Sequence, residues 1–234
     1  MFAKACTTVR QSLYAIMGVS QLNPTTVNAS TGTAFMIAPG YLVTAAHLVH
    51  VQGNPAQARH QRLEVIRAPD IGSAMVDASF VAEDVERDIA LLQLNDTPKI
   101  KPVKLLRERL PVGTPCGSLG FPLGSVEFLP QSRALHILER FQGASVSSYH
   151  MTTSKAGREL PFYETDSLMY KGSSGCPGFD RKGRCFGMHV KSAFERVQAG
   201  GTGPLPGGET RLAISMWVPS TDIVSFLEAN SLTV

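Results

Sequence analysis

The chain has 234 residues, 43% of them hydrophobic and 18% charged, which suits one large domain or two small lobes and excludes wholesale disorder. The net charge of +3 is too small for a dedicated nucleic-acid binder, which would present a far more basic face. No apolar run in the sequence is long enough to span a membrane.

The first twenty residues combine Lys4 and Arg10 with a short apolar run at residues 13–19. The run resembles a secretory signal peptide only loosely, because Gly18 interrupts it and no small-residue cleavage site follows. We therefore expect a first β-strand here, and a cytoplasmic protein in preference to a secreted one.

The cysteines fit that compartment. The chain has four, none in a CxxC pair or a zinc-ligand spacing: Cys6, Cys116, Cys176 and Cys185. We interpret them as free thiols, with one or two disulfides as the open alternative. No metal or organic cofactor is expected.

Short apolar segments separated by turn signals fill the first half of the chain. They predict strands at residues 33–38, 41–49, 63–68 and 89–94. A helical turn is expected just after His47. Such spacing is typical of an all-β sandwich or barrel.

Residues 99–110 (KIKPVKLLRERL) separate this half from a second β-rich half. They carry one acid, Glu108, and five cations: Lys99, Lys101, Lys104, Arg107 and Arg109. We interpret the segment as a solvated connector, with a basic docking strip as the alternative. The predicted organisation is an N-terminal lobe at residues 1–98, a connector at 99–112 and a C-terminal lobe at 113–234.

The second half repeats the pattern, with predicted strands in GTPCGSLGF, GASVSSY, RCFGMHV and LAISMWV. Residues 199–208 (AGGTGPLPGG) predict a mobile loop between two strands. Residues 220–230 predict a C-terminal helix with Ser220 or Thr221 as N-cap.

Three segments carry residues suited to nucleophilic catalysis: TAAHL with His47, ERDIALL with Asp88 and GSSGCP with Ser174. A serine is a weak nucleophile unless a base takes its proton, and histidine can accept and return that proton near neutral pH. A buried carboxylate fixes the imidazole tautomer. Each residue alone could be structural, so the interpretation depends on the order and the context of all three.

In order and context, these segments resemble the trypsin-like serine proteases over nearly the whole chain. The sequence resembles the bacterial and organellar members of this family more than the digestive enzymes. The resemblance implies two six-stranded antiparallel β-barrels with a C-terminal helix, and a triad of His47, Asp88 and Ser174. It also implies an oxyanion hole formed by the backbone N–H groups of Gly172 and Ser174.

The glycine-rich segment contains two adjacent serines, Ser173 and Ser174. Ser174 fits the family pattern, because Gly175 follows it and Gly172 lies two places before it. The digestive enzymes have an aspartate at the place of Ser173, which pairs with a newly cut N-terminus. We therefore expect no proteolytic zymogen switch. Cys176 is interpreted as a packing residue, with a redox-sensitive thiol as the alternative.

The resemblance also implies which residues bind the side chain before the cut bond: Leu168, Met169, His189, Val190 and Lys191. Because residue 168 is a leucine and not an acidic residue, a preference for Arg or Lys before the cut bond is not expected. The sequence GMHV resembles glutamyl endopeptidases and picornavirus-type proteases, in which the histidine recognises Glu or Gln. An apolar pocket for Leu, Phe or Met, with His189 as a buried structural residue, is the alternative.

The sequence therefore predicts a serine endopeptidase that acts on proteins or peptides through an acyl-enzyme. Two alternatives remain: a catalytically silent binding module of the same fold, and a narrow-specificity protease switched on by a partner protein. Neither nucleic acid nor membrane is an expected partner, and the sequence does not indicate the oligomeric state.

Overall fold

The computed structural model describes residues 1–129, 132–197 and 208–233. In these ranges the first six strands are β1 (Leu13–Asn23), β2 (Thr26–Ala38), β3 (Tyr41–Thr44), β4 (Arg62–Arg67), β5 (Val76–Asp84) and β6 (Ile89–Leu94). The remaining strands are β7 (Pro115–Gly120), β8 (Ser125–Leu129), β9 (Ser132–His136), β10 (Arg140–Thr153), β11 (Glu159–Thr165), β12 (Pro177–Phe179), β13 (Cys185–Val197) and β14 (Gly208–Pro219). The α-helices are α1 (Ala3–Arg10) and α2 (Ser220–Ala229).

The strands form two closed antiparallel barrels of six strands each, which confirms the predicted fold class. The first barrel has the order β1-β2-β3-β6-β5-β4, and the second has the order β10-β11-β14-β13-β12-β7. Closure leaves neither barrel with an open edge. Side chains such as Ile16, Phe35 and Leu42 fill the first barrel and are at most 2% exposed.

An aromatic cluster fills the second barrel. The ring of Phe186 meets Tyr163 edge-on at 5.3 Å between centroids and lies 5.6 Å from Trp217. Strands β8 and β9 form a separate two-stranded hairpin, and Arg133 on β9 pairs with the buried carboxylate of Glu64 on β4. The hairpin therefore ties the second half of the chain to the first barrel.

The beginning of the chain corrects one prediction. Residues 3–10, expected to belong to a first strand, form α1, and the strand begins only at Leu13. Ala5 and Val9, four residues apart, are the buried residues of the helix. Phe2 packs against Phe141 and Phe179 of the second barrel, so these first residues do not belong to the N-terminal lobe alone.

The C-terminal helix begins where predicted, but its cap differs. Pro219 is the N-cap, and no side chain caps the helix. The hydroxyl of Ser220 instead donates to the carbonyl of Leu106 at 2.6 Å, which fastens the helix to the connector. Ser220 and Thr221 therefore do not act as N-caps.

Two further predictions differ from or fall outside the structure. The strand predicted at residues 41–49 ends at Thr44, and a 3₁₀ turn at Ala46–Val49 contains His47. Of the predicted loop at residues 199–208, only residue 208, the start of β14, lies within the described residues. No helix in the described ranges has the length and apolar character needed to cross a membrane.

The junction between α1 and the second barrel gives a stability prediction. Phe179 is fully buried and touches both Phe2 and Phe141, so Phe179→Ala should lower the free energy of unfolding by about 3–5 kcal/mol. Phe128→Ala is the control, because this side chain is 42% exposed and should change the value by about 0.5 kcal/mol or less. Urea denaturation of both variants measures the difference, and equal losses would contradict this packing.

Candidate active site

His47 and Asp88 are joined by two hydrogen bonds. The backbone N–H of His47 donates to Asp88 Oδ1 at 2.8 Å, and His47 Nδ1 lies 2.6 Å from Asp88 Oδ2. The carbonyl of Asp88 also accepts the N–H of Ala46 at 3.1 Å. Both side chains are 25% exposed, and His47 Nε2 forms no hydrogen bond with a described residue.

The turn that carries Asp88 is held from two further sides. Asp88 has a φ of +59°, a left-handed conformation that aspartate tolerates better than most residues. Next to it, the Arg87 guanidinium donates to Asp84 Oδ2 at 2.7 Å and to Asp222 Oδ1 at 2.9 Å. Because Asp222 lies in the first turn of α2, the C-terminal helix fixes the aspartate turn.

Glu86 ties the same turn to the second barrel. Its carboxylate accepts the hydroxyl of Ser154 at 2.7 Å and the guanidinium of Arg158 at 2.6 Å. Both partners lie in the hairpin that joins β10 to β11. The loop before Asp88 therefore spans the space between the barrels.

The segment around Ser174 bends through two glycines in the left-handed region. Gly172 has a φ of +92° and Gly175 a φ of +81°. A Cβ atom at Gly172 would lie 2.4 Å from the carbonyl oxygen of Phe121, and one at Gly175 would lie 2.0 Å from that of Thr33. Only glycine fits either position without a shift of backbone.

Thr33 on β2 fastens this segment to the first barrel. Its N–H donates to the carbonyl of Ser174 at 2.9 Å, and its hydroxyl donates to the carbonyl of Gly172 at 3.0 Å. The Thr33 hydroxyl also accepts the N–H of Phe121 at 3.1 Å. One residue of the first barrel therefore holds both ends of the Gly172–Ser174 stretch.

The peptide planes next to Ser174 leave two N–H groups without a hydrogen-bond partner in the described part of the chain. The carbonyl of Lys171 accepts from Leu123, and that of Ser173 accepts from Cys176. A planar trans peptide points its N–H opposite to its carbonyl, so the N–H groups of Gly172 and Ser174 face away from these bonds. Neither donates a hydrogen bond to any described residue.

Ser174 lies close to the turn of His47 but is not bonded to it. A Cβ at Gly175 would come within 3.1 Å of the N–H nitrogen of Ala45, two residues before His47. Across the described ranges, no hydrogen bond joins Ser174 Oγ to His47 Nε2. Such contacts in unliganded sites are often long and tighten when substrate binds.

The residues expected to bind substrate divide between two spaces. Leu168 and Met169 line a cavity of about 210 Å³ beside Ser173 and Cys176. Val190 and Lys191 line a cleft of about 850 Å³ with His47 and Asp88. The rest of the cleft lining is mixed. It includes apolar side chains (Val85, Leu160, Phe162 and Met216) and polar or charged ones (Asn54, Glu86, Arg87, Thr152, Ser154 and Lys155).

His189 lines neither space. It is 3% exposed, and its ring meets Trp217 edge-on at 5.2 Å between centroids. Its backbone carbonyl accepts the N–H of Gly175, and its N–H donates to the carbonyl of Cys176. These two bonds pair β13 with the residues directly after Ser174.

Cys176 is fully buried, and all four cysteines are free thiols. Burial, followed by the nearby Cys185, raises the pKa of the Cys176 thiol well above its usual range. Because the thiolate is the reactive form, a protonated and inaccessible thiol favours the packing role over redox sensing. No three His, Cys, Asp or Glu side chains of the described residues are grouped to hold a metal ion.

Sequence reasoning missed Thr33, Arg87 and Glu86 as supports of this site. All three act through contacts between segments far apart in the chain, from 68 residues for Glu86 with Ser154 to 141 for Thr33 with Ser174. Only Arg87 was adjacent to a candidate, and it pairs with Asp84 and Asp222, not with Asp88.

Comparison with known proteins agrees with this architecture. The family model of the trypsin-like peptidase domain matches residues 32–188. No curated protein sequence matches the chain significantly.

Solved structures resemble the chain over nearly its whole length. The active form of the Rv3671c protease from M. tuberculosis superposes with a TM-score of 0.70 at 16% identity, covering 98% of this chain and 85% of that one. A serine-to-alanine variant of the HtrA-type protease AlgW, solved with a tripeptide, gives a TM-score of 0.71 at 17% identity, covering 98% of this chain and 63% of that one. At such identities the likeness shows the fold alone.

Gly175 and Gly157 both have a left-handed backbone conformation, but only Gly175 has close neighbours. Replacing each by alanine therefore separates the cost of a steric clash from the cost of the backbone conformation. Gly157 has a φ of +82°, and a Cβ there would meet nothing within 4 Å. Gly157→Ala should therefore cost about 1 kcal/mol of stability, whereas Gly175→Ala should cost at least about 3 kcal/mol. Thermal or urea unfolding measures both losses of stability. Similar losses would contradict the expected clash between a Cβ at residue 175 and the carbonyl of Thr33.

The aspartate turn gives a pH prediction. Burial acts to raise the pKa of the Asp84 carboxyl, but hydrogen bonds from the Arg87 backbone and guanidinium outweigh it, so the pKa lies below its usual value. An ionised Asp84 therefore stabilises the fold above the unfolded pKa, and this contribution is lost as the pH falls through the lower folded pKa. Asp84→Ala should cost about 1.5–3 kcal/mol at neutral pH, and the difference from wild type should narrow below about pH 4.

Denaturation across the pH range tests this. Asp77→Ala is the control, because Asp77 is 57% exposed and should cost less than about 1 kcal/mol. An Asp84→Ala deficit that is independent of pH would contradict the charge-based account.

Proposed function

This chain belongs to the trypsin-like peptidase family, and we propose that it is a serine endopeptidase with Ser174 as nucleophile, His47 as general base and Asp88 as the residue that orients His47. The observation that carries the proposal is the double hydrogen bond between His47 and Asp88. A carboxylate bonded to Nδ1 keeps that nitrogen protonated, so Nε2 is the nitrogen available to take a proton.

In the proposed mechanism, Ser174 Oγ attacks the peptide carbonyl while its proton passes to His47 Nε2. The negative oxygen of the tetrahedral intermediate accepts hydrogen bonds from the N–H groups of Gly172 and Ser174. His47 then gives the proton to the leaving amine, and an acyl-enzyme remains on Ser174. Water activated by His47 releases the acid product.

The free N–H groups support this assignment of the oxyanion hole. Two donors with no partner among the described residues lie on a segment whose carbonyls are bonded elsewhere. Donors fixed before the reaction stabilise the developing charge without reorganisation, and loss of one typically costs about 3 kcal/mol of the barrier.

For the residue before the cut bond we keep two candidates, Glu or Gln on one side and Leu, Phe or Met on the other. The apolar part of the cleft beside His47, and Met169 next to Leu168, support an apolar residue, whereas Lys191 in the cleft and Arg140 beside Leu168 support Glu or Gln. The buried position of His189 against Trp217 supports a structural role, while its place directly behind Gly175 and Cys176 keeps it near the nucleophile.

A silent binding module is the second candidate function. Its supporting observation is that Ser174 Oγ and His47 Nε2 share no hydrogen bond in the described part of the chain. A protease that a partner protein activates would explain the same observation, because the partner would close the site.

Protein or peptide substrates are proposed whether the protease is active alone or needs a partner. The four free thiols support a cytoplasmic location.

The main prediction concerns the two adjacent serines. Ser174→Ala should lower kcat/KM by at least about a thousandfold, because the nucleophile is lost. Ser173→Ala should stay within about tenfold of wild type, since Ser173 is buried and supplies no reacting atom in this mechanism. A proteome-derived peptide library read by mass spectrometry measures cleavage. Comparable cleavage by wild type and Ser174→Ala would contradict the proposal.

The same library decides the specificity. If His189 recognises Glu or Gln, His189→Ala should lower cleavage after these residues by at least about tenfold relative to cleavage after Leu. If His189 is structural, all rates should fall together with the thermal stability. An unchanged ratio in a folded variant rules out recognition by His189.

A further inference from the structure

The basic connector, which the proposed mechanism does not use, forms one wall of a groove. The groove has a volume of about 610 Å³ and lies between α1, residues 99–104 and the turn that joins β12 to β13. It shares no lining residue with the cleft of His47 and Asp88. A ligand in the groove would therefore leave the cleft open.

Cations from separate segments converge on the groove. The connector contributes Lys99, Lys101 and Lys104, and the β12–β13 turn contributes Lys182. All four are exposed, and none forms an ion pair with a described residue. No Asp or Glu of the described residues lines the groove, although Lys99 also lines a neighbouring cavity that contains Asp70, Asp77 and Asp96.

Two further cations at the groove are already neutralised. Arg67 forms a two-pronged pair with Asp70, and Arg184 forms one with Asp180. These pairs stiffen the rim without adding free charge. The four lysines are therefore the groups that an incoming ligand would meet.

The floor of the groove is apolar. Val9 and Val103 are 1% and 7% exposed, and Ile100 is partly buried. Thr7, Thr8 and Gln11 add hydroxyl and amide groups along the α1 side. An apolar floor can contact the aliphatic parts of a bound peptide, and polar walls can form hydrogen bonds with its backbone.

We propose that this groove binds an extended, acid-rich segment of a partner protein. The residue before a proline favours an extended backbone, so Lys101 before Pro102 is expected to be extended. In an extended chain, residues two apart lie about 6–7 Å from each other, so a bound strand with alternate acids would present its carboxylates to the groove at that spacing. No aromatic side chain lines the groove, whereas single-stranded nucleic acid relies on stacking against aromatic rings.

Fluorescence anisotropy tests the proposal with the Ser174→Ala protein, which removes the proposed cleavage. The probes are a labelled peptide of alternating glutamate and serine, the same peptide with glutamine for glutamate, and a single-stranded oligonucleotide. We expect saturable binding of the glutamate peptide alone, weakened by added salt because the attraction is between charges. This readout does not depend on protease activity, so its failure would leave the proposed mechanism standing.

Two double variants of equal charge locate the binding. Lys101→Gln/Lys182→Gln changes two walls of the groove and should weaken binding of the glutamate peptide about fivefold to tenfold. Lys4→Gln/Arg62→Gln removes the same charge from exposed cations that line neither the groove nor the cleft, and should change binding of the glutamate peptide less than about twofold.

Three outcomes overturn the proposal. The first is no saturable binding of the glutamate peptide. The second is equal weakening in both double variants, which would indicate general charge attraction. The third is binding of the oligonucleotide in preference to the peptide, which would make the groove a nucleic-acid site.

Discussion

The candidate site depends on one junction, the contact of Thr33 in the first barrel with the nucleophile segment of the second. The N–H and the hydroxyl of Thr33 donate to the carbonyls of Ser174 and Gly172. Its carbonyl accepts the hydroxyl of Thr44 at 2.7 Å within the first barrel. The histidine turn follows β3, which pairs with β2 next to Thr33. The position of Ser174 relative to His47 is therefore set by how the barrels join, and neither barrel alone contains the site.

The second support is the aspartate turn. Arg87 links it to the C-terminal helix, and Glu86 links it to the hairpin of the second barrel. Ionic contacts of this kind are weak when exposed, but Arg87, Asp84 and Asp222 are at most 22% exposed, and Asp84 also accepts the backbone N–H of Arg87. The C-terminal helix thus contributes to the site although it lies outside both barrels.

Much of the architecture could be predicted from the sequence because strands and turns leave local patterns. Alternation of apolar residues, glycines at turns and the contexts of His47, Asp88 and Ser174 are all written within short windows. The structure places His47 Nδ1 2.6 Å from Asp88 Oδ2, and the catalytic roles of these residues stay a prediction. The N-terminal helix was missed because only Ala5 and Val9 mark its buried face, a weak helical period that adjoins the start of a true strand.

Other features leave no local trace. The bonds of Thr33, the use of Ser220 as a fastener to Leu106 and the tie from Glu86 to Arg158 join residues far apart in the chain. The basic segment could be seen as a charge pattern, but its meeting with Lys182 across a groove depends on the folded chain. Long-range side-chain contacts are therefore what the structure adds to the sequence.

The central claim is that Ser174 is a nucleophile activated by His47 and Asp88. The most direct measurement is labelling by a serine-directed phosphonate, followed by intact-mass and peptide mapping of wild type, Ser174→Ala and Asp88→Asn. The account predicts one adduct on Ser174 in wild type, none in Ser174→Ala, and labelling of Asp88→Asn at least about a hundredfold slower. An unlabelled Ser174 in folded wild type, or equal labelling of all three proteins, would contradict it.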